Sequence, residues 1–491
     1  TTSLRSLRSF AVNYPFQVKT PTGGNRAAGL ASLFPPSRTR RLGLMLLALQ
    51  MAGTPLGAAD PAPGTPWYEG RLSGQSRSVY QYRSSEGERD SDFYEYLYIR
   101  DRDLANRRLD FYASGRLHRD LDGASTSLAD DEFASVEDVS STREDYLFQL
   151  YLDAHDRAKR VLLRAGRQYI DVADGLHVDG AQLTAFEYSW LGGRVFGGRP
   201  VSYYSPVSGD WAGGFSVIGR PWARNETRLT YVRYHDDSEN VDDERYTLET
   251  RQRWLEAIRS RVKVSELNSR FEMADLDLYY DASDGDFGCY AGVRRWGGAA
   301  GDTTAYSPLV QVLGDREPYT YVRGRIYKSL LPWLYVSPEV TARFVDDTDE
   351  DARNRDYVRY DLTLAVEPAK AWSVSVAGEY WDVQEGDSFV GVSGEVRYRR
   401  RRLWEVSAGA GYLHYEYVQY SDFAGTSEAG DVRVESDGTA IESSPDSYSY
   451  YVSGKWNLNK TFSLQVRGET EDNSETDERS YLGQTALVIR I

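Results

Sequence analysis

Val390-Gly-Val-Ser-Gly-Glu-Val-Arg-Tyr-Arg399 decides the reading of this chain, because its residues sort into two sets by parity. Val390, Val392, Gly394, Val396 and Tyr398 form one set; Gly391, Ser393, Glu395, Arg397 and Arg399 form the other. Successive side chains of a strand point to opposite faces, so one face here is apolar and the other polar and charged. The pattern recurs. Val358, Tyr360, Leu362, Leu364 and Val366 alternate with Arg359, Asp361, Thr363 and Ala365. Trp372, Val374, Val376, Gly378 and Tyr380 alternate with Ser373, Ser375, Ala377 and Glu379. Phe462, Leu464 and Val466 alternate with Ser463, Gln465 and Arg467, and Ile258, Ser260, Val262 and Val264 alternate with Arg259, Arg261 and Lys263. Segments of about ten residues with one lipid-compatible face and one wet face are the signature of transmembrane strands in a closed barrel.

Composition agrees. The chain has 37 Tyr and 11 Trp against 3 Met and 1 Cys, and its mean hydropathy is negative. Such a chain lacks the runs of about 20 apolar residues that a helical membrane protein needs. Tyr and Trp favour strands and membrane–water interfaces. The lone Cys289 excludes an intramolecular disulfide framework and any multi-Cys metal centre. No C-x-x-C-H occurs, so no covalent c-type haem is expected, and no other cofactor is indicated. The five histidines, His118, His155, His177, His235 and His414, are scattered.

Charge is divided along the chain. Residues 1–59 hold seven Lys/Arg and no Asp/Glu, which leaves 51 basic and all 74 acidic residues beyond them. So acidic a remainder argues against a nucleic-acid partner. Arg38-Thr-Arg-Arg41 precedes Leu42-Gly-Leu-Met-Leu-Leu-Ala-Leu49, and small residues follow at Gly57, Ala58 and Ala59. Residues 38–59 therefore read as a signal peptide with cleavage near Ala59–Asp60. Residues 1–37 read as an unstructured leader or an over-extended start, and 60–491 as a single barrel domain.

Connectors of two kinds alternate between the strand segments. The short ones are 157–160, 191–193, 367–370, 399–402 and 457–460; the long ones are 119–143, 236–243, 346–354, 421–446 and 470–478, rich in Asp, Glu, Ser and Gly. Short periplasmic turns and long acidic extracellular loops are the expected arrangement. The fold class expected is all-β, a transmembrane antiparallel barrel of about 20 strands within a range of 16 to 22. Alternation breaks within 91–101, 227–235 and 269–281, where bulges or misread boundaries are expected. A propeller or sandwich would alternate too, but no fixed blade-length repeat is present.

Leu163-Arg-Ala-Gly-Arg-Gln168, followed by Gly175-Leu-His-Val-Asp-Gly180, resembles a stretch of porin-like outer-membrane barrels, alginate-export-type channels among them. The resemblance covers about 20 residues. It implies the superfamily, and with it the outer membrane of a Gram-negative bacterium, but no substrate. Its glycines suit a bulge or a close approach of neighbouring strands, and Arg164 and Gln168 share a face.

The candidate pore-lining residues are Arg245, Glu249, Arg251 and Arg253; Arg259, Arg261 and Lys263; Arg323 and Arg325; and Arg359, Glu379, Glu395, Arg397 and Arg467. Asp361 and Glu469 add carboxylates to the same faces. Two readings stay open. Rings of charge select solutes by field and hydrogen bonding, so a basic stripe would favour anionic or polar solutes. Alternatively, Arg and Glu on neighbouring strands pair and brace the wall. Tyr321 and Tyr327, beside Arg323 and Arg325, would offer sugar rings a stacking surface.

The acidic runs 236–237, 242–244 and 346–351 offer oxygen ligands for Ca²⁺, but they lack the spacing of an EF-hand loop and read first as solvated loops. His235-Asp236-Asp237 is the one arrangement inviting an enzymatic reading, and no G-x-S-x-G accompanies it, so no enzyme is expected. The function expected is a porin-like channel for passive passage of small polar or charged solutes through an Arg/Glu-lined lumen. The alternative is a barrel that sheathes a periplasmic or lumenal multihaem cytochrome in an electron-transfer conduit. Partners expected in either case are outer-membrane lipid and lipopolysaccharide.

Overall fold

The computed structural model describes residues 72–490 apart from 86–87, 105–107, 122–144, 157, 159, 174, 187–189, 202–208, 238–239, 284, 299–316, 347–354, 385–386, 401–402, 421–439, 444–445 and 475–477. Residues 1–37 and 38–59, expected to be a leader and a signal peptide, and most of the long connectors expected at 119–143, 346–354 and 421–446, lie outside the described residues. The strands, in chain order, are β1 (Leu72–Ser85), β2 (Glu88–Asp103), β3 (Leu109–Asp120), β4 (Asp145–His155), β5 (Val161–Ile170), β6 (Leu176–Ala185), β7 (Leu191–Pro200) and β8 (Trp211–Gly219). They continue with β9 (Asn225–Asp236), β10 (Val241–Arg253), β11 (Ile258–Leu267), β12 (Arg270–Asp281), β13 (Phe287–Trp296), β14 (Tyr319–Leu331), β15 (Leu334–Val345) and β16 (Tyr357–Ala369). The last are β17 (Trp372–Val383), β18 (Ser388–Arg400), β19 (Trp404–Tyr420), β20 (Ala440–Ser443), β21 (Asp446–Asn457), β22 (Phe462–Asn473) and β23 (Glu478–Arg490).

Each strand pairs antiparallel with its chain neighbours, and β1 pairs with β23 from Gln75↔Arg490 to Ser84↔Tyr481. That last ladder closes the sheet, so no edge is left unpaired. β20 stands apart. It pairs only with the far end of β19, which meets β21 within the main sheet. The barrel therefore has 22 strands rather than about 20.

The three stretches of broken alternation have local causes, and only the last of them is a bulge. In β2 the inward set is Asp92, Tyr94, Tyr96, Tyr98 and Arg100, so aromatic residues sit on both faces and the polarity contrast is weak. In β9 the inward Val232 and Tyr234 are buried and apolar. Between β11 and β12 the register shifts at Ser265/Glu266, and Glu272 becomes the extra residue of a β-bulge, which changes the parity of the strand.

The connector assignments also need correcting. Leu191-Gly-Gly193 lies inside β7, and Glu367–Ala369 finishes β16. The stretch 236–243 is not a long loop, since β9 runs to Asp236 and β10 begins at Val241. Hydrogen bonds hold those acidic residues in the ladder: Arg233 donates to Asp242 at 2.8 Å, and Asn268 donates to Asp243 at 2.6 Å. Likewise β22 extends to Asn473 and β23 starts at Glu478.

Burial tells the two faces apart. Val195, Leu229, Leu362, Val376 and Val392 are exposed; by register, Val178, Val232, Arg245 and Lys263 lie on the opposite face and are buried. The exposed apolar face is the outer wall, as a bilayer requires.

Not all of the inner face is wet. After β5 a 3₁₀ turn, Asp171–Ala173, brings Val172 and Ala173 into a buried apolar cluster with Ile170, Leu176, Val178, Phe196, Ala212, Val232 and Tyr234. Arg194 donates to Asp171 and ties the turn to β7. Each fully buried aliphatic side chain, such as Ile170 or Val178, contributes about 1.5–3 kcal/mol. The charged interior expected from alternation is interrupted here.

The turn between β4 and β5 is organised by Asp156, whose carboxylate accepts the N–H groups of Arg160 at 2.5 Å and Val161 at 3.0 Å. The Val161 hydrogen bond, first, holds this carboxyl below the usual carboxylate range. A depressed carboxylate adds stability above its unfolded pKa and loses it as pH falls through the folded value. Asp156→Ala is therefore expected to speed amide exchange at Arg160 and Val161 at neutral pH. The difference from wild type should fade in acid; exchange rates that are equal at pH 7 would refute this role.

Candidate inner-wall site

Cross-strand registers carry one face around the sheet, and all fourteen candidate residues fall on it. Arg253↔Arg259, Arg251↔Arg261 and Glu249↔Lys263 join β10 to β11. Arg261↔Asp277 and Lys263↔Asp275 continue to β12, and Asp275↔Arg294 and Asp277↔Gly292 to β13. Gly292↔Arg323, Arg323↔Thr341, Arg325↔Glu339, Thr341↔Arg359 and Asp361↔Glu379 lead through β14 to β17. Ser375↔Glu395, Arg397↔Ser407 and Ser453↔Arg467 complete the path to β22.

Most of these cations are paired. Arg245 Nε lies 2.7 Å from Glu272 Oε2, and both side chains are buried. Glu249 accepts from Arg251 at 2.9 Å and Arg261 at 2.6 Å, and Arg261 also reaches Asp277 at 3.5 Å. Arg259 pairs with Asp281. Arg323 grips both carboxylate oxygens of Glu339, at 2.6 and 3.0 Å; Arg325 donates to Ser337 Oγ at 2.9 Å and lies 3.8 Å from the same Glu339. Arg359 bridges Asp361 at 2.6 Å and Glu379 at 3.0 Å with its guanidinium 4.9 Å from the Trp381 ring centre. Arg397 pairs with Glu395 at 2.8 Å and Arg467 with Glu469 at 2.7 Å. Arg253 donates to the Glu256 carbonyl at 3.1 Å. The wall is thus a ladder of alternating charge, built as the bracing alternative requires, and not an unpaired basic stripe. Exposed pairs of this kind stabilise by only about 0–1 kcal/mol each. What they fix is the position of each charge.

A cavity of about 490 Å³ opens on this face between β12 and β16. Tyr290, Tyr319, Tyr321 and Tyr357 line it, with Arg294, Arg323 and Arg343 and the carboxylates of Asp275 and Asp277. Arg294 is held by both oxygens of Asp275, at 2.6 and 3.2 Å, and the Tyr290 hydroxyl donates to Asp277 at 2.7 Å. Sequence reasoning named Tyr321 and Arg323 but missed Arg343, Glu339, Asp275, Asp277 and Glu272. For Arg343 the signal was there: Val340, Ala342 and Phe344 alternate with Thr341, Arg343 and Val345. For Glu272 no periodic signal exists, because the bulge breaks the period at that residue.

The motif glycines make close strand contacts. A Cβ at Gly166 would overlap the Leu150 carbonyl, and one at Gly180 would overlap the Gly197 carbonyl and lie 2.6 Å from Gly198 Cα. Arg164 grips Asp153 at 2.7 and 2.8 Å and stacks 4.0 Å from the Tyr151 ring centre; Gln168 is fully buried. His235 shares the outer face with Arg233 and binds Asp242 at 3.0 Å, an arrangement with no serine in it. Among the described residues no group of three His, Cys, Asp or Glu is placed to hold a metal ion.

No protein-family model and no curated protein matches the chain. Solved structures similar to it include Pseudomonas aeruginosa OccK2 (OpdF), 13% identical with a TM-score of 0.41, covering 86% of this chain and 97% of that one. Pseudomonas aeruginosa OccK5 (OpdH) is 9% identical with a TM-score of 0.41, covering 86% and 98%. A loop-deletion mutant of OmpT, an outer membrane protein of Vibrio cholerae, is 9% identical with a TM-score of 0.32, covering 85% and 98%.

Proposed function

We propose that this porin-like β-barrel of a Gram-negative outer membrane is a channel for passive passage of small polar or charged solutes, with the Arg/Glu ladder as its lumen lining. The observation that supports the reading is the division of one closed sheet into an apolar outer face and an inner face of alternating guanidinium and carboxylate. Charges at fixed positions along an aqueous path attract polar solutes without trapping them, since most of the charges have a counter-charge beside them. In this reading the side carrying Leu72, Arg490 and the tight turns, such as Lys370–Ala371, faces the periplasm. The opposite side, with the strand ends Asp120, Asp145 and Trp296, faces outward.

Reconstitution in planar bilayers tests the proposal. Stepwise conductance is expected, and a membrane that stays sealed at every voltage would reject the channel. Glu339→Gln tests the lining. It removes the carboxylate that neutralises Arg323 and lies near Arg325, so the ratio of anion to cation permeability should rise in 0.1 M salt. The rise should shrink in 1 M salt, where the screening length falls from about 10 Å to about 3 Å. An unchanged ratio at low salt would place these residues off the ion path.

A further inference from the structure

We infer that this chain assembles with two further copies of itself, the Glu95 wall of each barrel docking on the Arg167–Asp179–Arg199 row of the next. Two sectors of the outer wall depart from its apolar rule, and they complement each other. The first is on β2. Asp92, Tyr94 and Tyr96 point inward, so Glu95 faces outward with Phe93, Leu97 and Ile99. In the registers it stands between Ser78 on β1 and Leu117 on β3. Its hydrogen-bond partner is the Ser76 hydroxyl, and no cation pairs with it among the described residues. Arg119, the next outward residue of β3 beyond Leu117, is held by Asp145 at 3.0 Å. A carboxylate on a lipid-facing wall is unfavourable there unless a contact supplies its partner.

The second sector can supply that partner. Arg167, Asp179 and Arg199 form a cross-strand row on the outer face of β5, β6 and β7. Arg167 donates to both oxygens of Asp179, each at 2.6 Å, and Arg199 stands across from the same carboxylate on β7. Within the row two guanidiniums flank one carboxylate, a surplus of one positive charge that matches Glu95. The row also lies deep in the wall. Below it β5 presents Val161, Leu163 and Ala165 outward. These span about 13 Å of strand at about 3.3 Å per residue, against an apolar band about 25 Å tall. So short an apolar stretch is relieved when a protein neighbour replaces the lipid. The depths agree. Glu95 stands eight residues from the end of β2 at Asp103, and Arg199 eight from the end of β7 at Leu191, on the same rim of the barrel. The spacing fixes the number of copies. β2 and β6 are four strands apart in a closed sheet of 22, about 65° around the wall. Seen from one protomer, its two neighbours stand about 60° apart in a ring of three and about 90° apart in a ring of four. Head-to-tail contacts between these sectors therefore close at three copies.

Cross-linking of the full chain in outer-membrane vesicles of a Gram-negative host tests the ring. Cys289→Ser with Leu97→Cys and Val195→Cys keeps every charge of the contact and places one thiol in each sector. A short bismaleimide should then give dimer and trimer bands and nothing larger. Leu97→Cys with Val376→Cys on β17, outside both sectors, should stay monomeric. Glu95→Gln added to the first set should lower the trimer about tenfold, as expected when one partner of a desolvated charge pair is removed. Glu95→Arg should do the same, and Glu95→Arg with Arg199→Glu should restore the trimer, which a mere folding defect would not allow. Every variant must show the heat-dependent gel shift of a folded barrel. Should Glu95→Gln fail to show it, Arg199→Gln takes its place and should lower the trimer as far. Monomer alone, a ladder beyond three copies, an unchanged trimer in the Glu95 variants, or purification as a monomer with lipopolysaccharide held at the arginine row would overturn the assembly. A conducting monomer rejects the ring and leaves the channel; a ring that leaves the bilayer sealed does the reverse.

Discussion

Gly180→Ala is expected to prevent stable closure of the barrel, although it adds a single methyl group. Gly180 faces Gly166 on β5 and Gly198 on β7, so three glycines form a row across three strands. The two strand backbones meet where side chains would normally separate them. The added carbon would overlap the Gly197 carbonyl and come within 2.6 Å of Gly198 Cα. Both obstacles are backbone, which cannot swing aside as the end of a side chain does. Overpacking a core usually costs about 1–3 kcal/mol, and a backbone obstacle belongs at or beyond the top of that range. The comparison is Gly468→Ala on β22, where a Cβ meets nothing within 4 Å. That change should be neutral or slightly stabilising, because glycine in a strand carries an entropic cost of about 0.5–1 kcal/mol relative to alanine. The readout is the fraction of chain that migrates as folded barrel in unheated gels, together with the urea midpoint. Equal behaviour of the two variants would show that the glycine row is incidental to the fold.

These glycines also mark how far the sequence was legible. Gly166 and Gly180 stand in the stretch that resembles porin-like barrels, and the expectation of a close strand approach or a bulge there matches the contacts found. Period-two alternation assigned a face to every candidate residue, because a face is a local property that needs only the strand's own parity. Pairing is not local. Arg323 meets Glu339 and Arg359 meets Glu379 through registers that the turns set, and hydrophobic pattern alone does not count residues across a turn. Hence alternation could not choose between a basic stripe and a braced ladder. The same limit hid the dry cluster at Ile170–Val178, whose inward apolar residues imitate a second outward face. It also hid Asp242 and Asp243, which composition placed in a loop and which cross-strand partners hold in a strand.

At the bulge of β12, Glu272→Ala should cost about 3–5 kcal/mol, the range for removing one partner of a buried ion pair. Without the extra residue in β12, position 272 would keep the outward parity of its strand. The bulge instead brings the carboxylate to the inner face, 2.7 Å from Arg245 on β10, with β11 between them. Both side chains are withdrawn from water, Glu272 to 1% exposure and Arg245 to 7%. Their attraction must offset two desolvation penalties, so the pair as a whole stabilises little, while either half alone is strongly unfavourable. The double variant Arg245→Met/Glu272→Met should therefore be more stable than Arg245→Met or Glu272→Met alone. Urea unfolding of the reconstituted barrel, followed by tryptophan fluorescence, measures the four corners of the cycle. Additive effects of the two single changes would show that the charges do not act on each other, and that the bulge serves the ladder of β11 and β12 instead of the pair.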